Sequence, residues 1–298
     1  MKLDSGARSG RSGSAGRPDP HGGRGRRSRH LGAYVINGSL ALLSALTIFP
    51  LVWMLSASLM APGEASTFPP PLLPAAPTLE HYRVLFGTQG LGRQALNSLL
   101  ISVAATGLSL AFNLSAGYAF AKLKFKGREL IFRTLLAALV IPGQVAMMPL
   151  FLMLKQMGLV NTFAGALVPW LAGVFGIFLV RQYAQSIPDD LLEAARLDGA
   201  NEGQIFLRIV LPLLKPIVVT LAVLVFLGSW NDFMWPLIVL TDRELQTLPV
   251  ALAGLSREHV QDTELMMAGS VLTVLPVLLL FLVLQKHYMK GLLMGSVK

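Results

Sequence analysis

The sequence predicts an all-α polytopic membrane protein with six transmembrane helices. Of its 298 residues, 53% are hydrophobic and only 14% are charged, which lies outside the composition of ordinary soluble proteins. Six long stretches are nearly free of Asp, Glu, Lys and Arg, and each is long enough to cross a bilayer core about 30 Å thick, which needs roughly 20 residues. The basic residues fall in alternate loops, as they do in multi-span membrane proteins.

The predicted spans follow one another along the chain. The fifth contains Lys215 near one end and Asp232 near the other, where flanking charged side chains can reach the membrane interface. The other five contain no charged residue. The spans are predicted at about 31–59, 95–120, 134–154, 159–180, 211–236 and 265–285, within a membrane domain over 31–298.

Residues 1–30 predict a disordered cytosolic tail. They are rich in Gly, Ser and Arg, so they cannot bury enough apolar surface to offset the entropy of ordering. A basic segment before an apolar run more often fixes membrane topology than binds nucleic acid, so no nucleic-acid partner is predicted. The apolar run that follows is longer than the core of a signal peptide, so we expect it to remain as the first span.

The distribution of Lys and Arg predicts the orientation. With the N-terminus inside, 20 of the 25 basic residues fall on the inner side, as the positive-inside rule requires. If the number of spans were wrong by one, the loops rich in Lys and Arg would no longer all lie on the same side of the membrane. The sequence therefore predicts six spans with both termini in the cytosol.

Small and polar side chains mark the packing faces of the second span. Ser98, Ser102 and Thr106 recur at four-residue spacing, and small residues let helix backbones approach closely in lipid. A second row consists of Ala105, Ser109, Asn113 and Gly117. Helix packing is the favoured interpretation, and the lining of a polar passage, above all by Asn113, is the alternative.

Prolines predict breaks in the third and fourth spans. Pro142 with Gly143, and Pro169, can interrupt backbone hydrogen bonding at membrane depth, which is tolerated where other helices or a cavity accept the freed groups. A static kink is favoured over a gate.

Several kinds of chemistry are excluded by the residues present. The chain has no cysteine, and none of its five histidines falls in a predicted span, which excludes thiolate metal sites and haem ligation within the bundle. No phosphate-binding Gly-rich loop occurs, so no catalytic site, metal site or ATP site is predicted in this chain. The scarcity of charge inside the spans disfavours an ion-coupled carrier.

The loop over 186–212 predicts two short cytosolic helices. Ser186 is expected to cap the first helix, with two aspartates at its positive dipole end and Gly199 at its left-handed C-terminal turn. Asn201 with Gln204 can begin the second helix, which ends near Pro212. From composition alone, an amphipathic helix resting on lipid explains this loop as well as a helix that docks into a protein.

A resemblance decides between these interpretations. Glu193-Ala194-Ala195 is followed at fixed spacing by Gly199, Ile209 and Leu211-Pro212, and this pattern resembles the EAA loop of ABC importer permeases. The resemblance implies an ABC type I importer permease fold, in which a coupling helix docks into a cytosolic ATPase. The residues implied to act in ATPase coupling are Glu193, Ala194, Ala195, Arg196, Asp198 and Gly199.

The likeness extends from about Asn97 to Lys298 and is most similar to the carbohydrate branch, the maltose-type second permease. It includes Gly176-Ile177-Phe178 and the closing Gly295-Ser296-Val297-Lys298. The resemblance implies a second permease subunit, a cytosolic ABC ATPase dimer and an extracytoplasmic sugar-binding protein as partners, in a bacterial or archaeal cytoplasmic (inner) membrane. ATP-Mg would be bound by the partner ATPase, and no cofactor by this chain.

Four residues are predicted on the substrate path. Trp230, Asn231 and Asp232 together offer an aromatic face, an amide and a carboxylate, and Asn113 offers a midspan amide. A membrane-interface tryptophan followed by an Asn-Asp turn is the alternative. Sugar is the expected solute, and glycerol phosphate, a stand-alone ion-coupled carrier and a non-transporting scaffold are the other hypotheses.

Overall fold

A computed structural model describes residues 24–258 and 262–296. These residues form α-helices, two π-helical segments (Val84–Thr88 and Phe206–Val210) and one 3-10 segment (Val168–Trp170), with no strand among them, so the all-α prediction is confirmed. The helices are α1 (Arg24–Ala57), α2 (Glu80–Arg83), α3 (Leu91–Lys122), α4 (Arg128–Ala138), α5 (Gly143–Gln156), α6 (Phe163–Leu167), α7 (Val174–Gln185), α8 (Asp189–Leu197), α9 (Glu202–Ile205), α10 (Leu211–Leu213), α11 (Lys215–Trp230), α12 (Met234–Val239), α13 (Leu248–Glu258) and α14 (Thr263–Ser296).

The chain divides into two units, Met1–Val52 and Trp53–Lys298. In the first unit, α1 already begins at Arg24, inside the segment predicted to be a disordered tail, since arginine is a good helix former. The prediction of disorder for residues 1–23 lies outside the described residues. Apolar side chains along α1, such as Leu42 and Leu46, are largely exposed, as expected for a helix surrounded by lipid.

Three helical segments are long and apolar enough to cross a membrane unbroken, and they match the first, second and sixth predicted spans. They are Tyr34–Ala57, Leu91–Lys122 and Thr263–Val283. Three further pairs of helices qualify only when each bent pair counts as one span, which gives up to six. The fold class predicted from the sequence is therefore confirmed.

The third, fourth and fifth predicted spans differ from straight helices. Helices α4 and α5 meet at 104°, α6 with its 3-10 extension meets α7 at 44°, and the segment before Leu214 meets α11 at 79°. The first break lies at Pro142, as predicted: this residue has ψ 132°, outside the helical region, and as a proline it has no N–H to continue the helical hydrogen bonds. The fifth predicted span also ends early, at Trp230, and a separate α12 follows.

Helix α3 is the central element of the second unit and packs most extensively against α7 and α11. Its row of Ala105, Ser109, Asn113 and Gly117 is buried, as a packing face would be, and Ser109 and Asn113 also line a cavity described below. A Cβ added at Gly117 would lie 2.5 Å from Cγ1 of Val180 in α7. The absence of a side chain at residue 117 therefore permits this close helix approach.

The loops predicted to lie outside contain helices that the sequence did not predict. Helix α13 begins where the Ser98 hydroxyl accepts the Leu248 N–H at 2.8 Å, and Asn97 donates to the carbonyls of Glu244 and Gln246. These polar residues of α3 thus fix the segment that precedes α13. A further unpredicted feature is Glu264 at the start of α14, which is fully buried and accepts the Ala65 N–H at 2.6 Å.

Candidate functional site

The loop over 186–212, called the coupling loop from here on, begins its first helix differently from the prediction. The Ser186 hydroxyl donates to the Tyr183 carbonyl at 2.7 Å, so it belongs to the end of α7 and does not cap α8. Pro188 is the N-cap residue of α8 and supplies no side-chain hydrogen bond. Asp189 and Asp190 lie in the first turn, where the helix dipole favours negative charge, as predicted.

Helix α8 ends at Leu197, and Gly199 forms the predicted left-handed turn after it. Gly199 has φ +84°, in the left-handed region that glycine adopts without steric cost. The Gly199 N–H donates to the Arg196 carbonyl, and the Ala200 N–H donates to the Ala195 carbonyl. No atom lies within 4 Å of a Cβ added at residue 199, so the backbone conformation, and not lack of space, requires glycine here.

The second helix of the coupling loop begins with the predicted capping residues. The Asn201 side chain accepts the Gln204 N–H at 2.9 Å, and the Gln204 side chain accepts the Asn201 N–H at 3.0 Å. The chain then continues through a π-helical segment to α10 and turns by 79° into α11. The coupling loop is thus continuous with a candidate membrane helix at its C-terminal end.

A buried lysine at the end of α3 holds the entry to α8. The Lys122 ammonium donates to the Ile187 carbonyl at 2.5 Å and to the Asp189 carboxylate at 2.7 Å. The Lys122 side chain is only 6% exposed, so this ion pair has one partner removed from water. Lys122 therefore joins the end of α3 to the first turn of α8.

A second polar contact joins α3 to the other side of the coupling loop. The Tyr118 hydroxyl donates to the Glu202 carboxylate at 3.1 Å, and the Arg196 guanidinium donates to the same carboxylate at 2.7 Å. The Tyr118 ring also lies 5.2 Å from the ring of Phe206. Arg196, predicted to act in ATPase coupling, therefore has a partner within its own loop.

The acidic residues of the coupling loop predict a pH dependence of its order. The Arg196 guanidinium lowers the pKa of Glu202, and the hydrogen bond from Lys122 lowers the pKa of Asp189. A carboxylate with a lowered pKa stabilises the folded state at neutral pH, and this contribution is lost as the pH falls through the folded-state pKa. We expect the amide protection factors of residues 189–205, measured by hydrogen exchange, to decrease as the pH is lowered from the ordinary carboxyl pKa of about 4 through the lowered folded-state pKa values of Asp189 and Glu202.

A matched variant isolates the Glu202 contribution. Glu202→Gln removes the titrating carboxylate that pairs with Arg196. In this variant the protection factors of residues 189–205 should be lower than in the wild type at pH 7 and should change less on acidification. Equal protection of the wild-type loop at pH 7 and pH 3 would contradict the prediction.

The remaining predicted coupling residues divide between an exposed face and the core. Glu193, Ala194 and Asp198 are exposed, and Leu197 beside them is 90% exposed. Ala195 is buried in the cluster that contains Leu192 and Ile205, whereas Ala194 beside it is exposed. The exposed face of α8 therefore carries two acidic side chains beside the apolar Leu197, while Ala195 packs the helix against the rest of the loop.

Asp232 lines a cavity of about 420 Å³, called the Asp232 cavity here. Its carboxylate accepts the Trp235 N–H at 3.3 Å in the break between α11 and α12. The cavity walls come from α5, α11, α12 and the segment before α7. They include Gly143, Met147, Trp170, Gly228 and Trp235.

Asn113 lines a neighbouring cavity of about 240 Å³, called the Asn113 cavity here. The side chain is 1% exposed and donates from Nδ2 to the Ser109 hydroxyl at 2.8 Å, while its Oδ1 has no hydrogen-bond partner. Gly176 allows this position, because a Cβ there would lie 2.5 Å from Nδ2. Pro169 and Trp170 line both the Asn113 cavity and the Asp232 cavity.

The other two residues predicted on the substrate path line neither cavity. Trp230 is buried, donates from its indole N–H to the Thr273 carbonyl at 3.0 Å and stacks on Phe226. Asn231 is exposed and donates to the Leu227 carbonyl at the end of α11. Trp230 and Asn231 thus make hydrogen bonds to helix backbones. Of the four predicted residues, only Asp232 and Asn113 line cavities, and these two cavities are neighbours.

Two cavity residues were missed at the sequence level. Trp170 follows Pro169, which was interpreted only as a kink, and Trp235 follows the Trp-Asn-Asp segment by three residues. The sequence offered one signal that could have identified both tryptophans as cavity residues: each lies beside a break in an apolar stretch. Within the described ranges, no group of three or more His, Cys, Asp or Glu residues is placed to hold a metal ion.

A family model and several known relatives assign this chain to the same family. Residues 113–293 match the family model described as "Binding-protein-dependent transport system inner membrane component". The arabinooligosaccharides transport system permease protein AraQ of Halalkalibacterium halodurans is 36% identical, over 92% of this chain and 99% of the relative. The melibiose/raffinose/stachyose import permease protein MelC of Bacillus subtilis is 33% identical over 92% and 99%, and the lactose transport system permease protein LacG of Rhizobium radiobacter is 33% identical over 87% and 94%.

A solved structure supports the same assignment. A chain of a bacterial ABC transporter involved in the import of the acidic polysaccharide alginate matches with a TM-score of 0.76 and 26% identity, over 88% of this chain and 98% of that one. The family match covers more than half of the residues, including Asn113, Asp232 and the coupling loop. The chain therefore belongs to the inner membrane components of binding-protein-dependent transport systems, the permease subunits of ABC importers.

Proposed function

We propose that this permease forms, with a second permease subunit, the translocation path for a sugar or oligosaccharide delivered by an extracytoplasmic binding protein. The proposal is supported by the relatives, which are named for arabinooligosaccharides, for melibiose, raffinose and stachyose, and for lactose. The chain would act in a bacterial or archaeal cytoplasmic membrane with both termini in the cytosol, since 20 of its 25 basic residues then lie inside.

The energy for transport would come from a partner ATPase dimer that binds ATP-Mg. This chain has no phosphate-binding Gly-rich loop in its sequence, so the ATP-Mg would be bound by the partner. Its own contribution would be the coupling loop. Helix α8 would dock into the ATPase and transmit its closure to α3 and α11, with Glu193, Ala194, Arg196, Asp198 and Gly199 at or beside the contact and Ala195 packing beneath it.

One observation carries the coupling proposal: the face of α8 is exposed, while its base is fixed to α3. Glu193, Ala194 and Leu197 lie on the exposed side. Lys122 and Tyr118 hold the two sides of the coupling loop from α3. These polar contacts on both sides of α8 form a continuous network through which movement of α8 would reach a candidate membrane helix.

Charge reversal at the exposed face tests this proposal. The complex is expressed with its genomic neighbours, and Glu193→Lys is expected to reduce recovery of the ATPase with the permease at least tenfold, since it places a positive charge against a partner adapted to a negative one. The measurement is co-purification of ATPase and second permease through a tag on this chain.

Glu80→Lys is the matched control, because it makes the same charge change at an exposed residue of α2, outside the coupling loop. It should leave ATPase recovery unchanged. If Glu193→Lys recovered as much ATPase as Glu80→Lys, α8 would not be the docking helix. If the wild-type chain purified alone and transported sugar into vesicles without ATP, the stand-alone carrier would replace the importer subunit.

A further inference from the structure

Three helix breaks border the Asp232 cavity. Gly143 begins α5 after the break at Pro142, Trp170 ends the 3-10 segment before α7, and Asp232 lies between α11 and α12. Irregular backbone at membrane depth is tolerated where it is buried in protein or lines a cavity, and discontinuous helices form solute sites in several transporter folds. Three breaks therefore converge on one cavity, which is the setting in which such transporter folds bind solutes.

The aromatic walls of the Asp232 cavity are held by contacts outside it. The Trp235 indole N–H donates to the Gly165 carbonyl at 3.1 Å. The Trp170 ring lies against α11, where a Cβ at Gly228 would be 2.9 Å from its Cη2. Both rings are therefore positioned before a ligand arrives, and the Trp170 ring is shared with the Asn113 cavity.

The polar groups of the two cavities are mainly hydrogen-bond acceptors. Asp232 offers a carboxylate, and Asn113 offers a buried Oδ1 that has no partner in the described structure. Acceptors beside a fixed aromatic face suit a hydroxyl-rich ring, whose O–H groups donate while its C–H face covers the indole. A buried acceptor left unpaired is costly, so a donating hydroxyl would be favoured at Asn113.

The charge of the cavities selects the class of sugar. Asp232 is the only charged residue among the described residues that line either cavity, and neither wall contains Lys or Arg. A phosphate or uronate group would find no cation there and would meet a carboxylate in a low-dielectric site. The structural neighbour is named for the import of the acidic polysaccharide alginate, so an acidic sugar belongs in any test of this selectivity.

We propose that Trp170, Asp232 and Asn113 form a subsite for one neutral pyranose or furanose unit, with the Trp170 indole as its stacking face, and that this subsite rejects anionic solutes such as glycerol phosphate or uronates. The inference rests on the proposed sugar-import function. It adds the charge class of the solute and the residue that stacks against it.

Site-directed labelling tests the subsite directly. Because the chain contains no cysteine, Met147→Cys places a single thiol in this chain on the wall of the Asp232 cavity. The purified permease–ATPase complex is treated with a maleimide, and the labelling rate of this chain is measured with raffinose, arabinotriose, lactose or trigalacturonate present. Thr88→Cys, an exposed residue that lines neither cavity, is the control.

At least one neutral sugar should slow labelling at residue 147 several-fold, while trigalacturonate should not, and labelling at residue 88 should be unaffected. Adding Trp170→Ala should raise the protecting concentration about tenfold, whereas Trp170→Phe, which keeps an aromatic face, should change it less. Co-purification of the ATPase serves as the folding check for both variants.

The outcomes separate this inference from the proposed function. Equal or stronger protection by trigalacturonate would overturn the charge selectivity while leaving a sugar path intact. Absence of protection by every sugar, or protection that Trp170→Ala leaves unchanged, would overturn the subsite. Neither labelling result bears on the coupling role of α8. That role is tested separately, by the recovery of the ATPase with Glu193→Lys.

Discussion

Gly117→Ala is expected to lower the thermal stability of the permease, whereas Gly107→Ala in the same helix is expected to raise it. The added Cβ at residue 117 would lie 2.5 Å from Cγ1 of Val180 and 3.1 Å from the Arg181 backbone nitrogen, so α3 and α7 must separate. Overpacking of this kind costs about 1–3 kcal/mol, which outweighs the roughly 1 kcal/mol that alanine gains over glycine within a helix.

Gly107 is a matched control because it is exposed on α3 and no atom lies within 4 Å of a Cβ added there. Only the gain in helix propensity remains at residue 107, so the two variants should shift the melting temperature of the purified complex in opposite directions. Val180→Ala should not rescue Gly117→Ala, because the Val180 Cβ, which alanine keeps, would itself lie 2.6 Å from the added Cβ. Equal melting temperatures for the two glycine variants would contradict the close α3–α7 contact.

The spans were predictable because hydropathy and chain length are local properties. Three predicted spans match unbroken helices, and the proline at residue 142 correctly indicated a break. The size of the bend was not predictable, since 104° is set by what the two helices pack against. The predicted span ran past the end of α11 at Trp230, because the apolar residues after Asp232 continue the stretch, although the Asn-Asp turn given as the alternative lies where the helix ends.

The coupling loop shows the same division between local and tertiary signals. Gly199 at the end of α8 and the Asn201–Gln204 capping box were predicted, because each depends on residues within a few positions of one another. Ser186 was assigned to the wrong helix, since the same hydroxyl can serve the end of α7 or the start of α8. The anchors were not predicted: Tyr118 contacts a residue 84 positions away, and Lys122 contacts one 67 positions away.

The cavities depended most on tertiary structure. Asn113 and Asp232 were predicted because an amide or a carboxylate is rare in an apolar stretch. Trp170 gave no comparable signal, because tryptophan is common in membrane helices and only its packing on Gly228 shows that it forms a wall. Trp230 and Asn231 had the expected chemistry, but their hydrogen bonds to Thr273 and Leu227 orient them elsewhere.

Lys122→Met is expected to uncouple transport from ATP hydrolysis without abolishing ATPase association. The substitution keeps the length and apolar stem of the side chain but removes the donor that the Ile187 carbonyl and the Asp189 carboxylate share. Hydrogen bonds from charged donors contribute about 1.5–3 kcal/mol, and Ile187 is 6% exposed, so water cannot fully replace the lost donor. The face of α8 remains intact, but its base is no longer fixed to α3.

The ratio of sugar transported to ATP hydrolysed, measured in proteoliposomes containing the whole complex, should fall several-fold in Lys122→Met. Lys126→Met is the matched control, because Lys126 is exposed in the turn before α4 and lies only four positions away. Asp189→Asn should have an intermediate effect, since it weakens the ion pair but leaves the Lys122 bond to the Ile187 carbonyl. An unchanged ratio in Lys122→Met, together with normal ATPase recovery, would show that movement of α8 reaches the membrane helices by a route other than its anchor on α3.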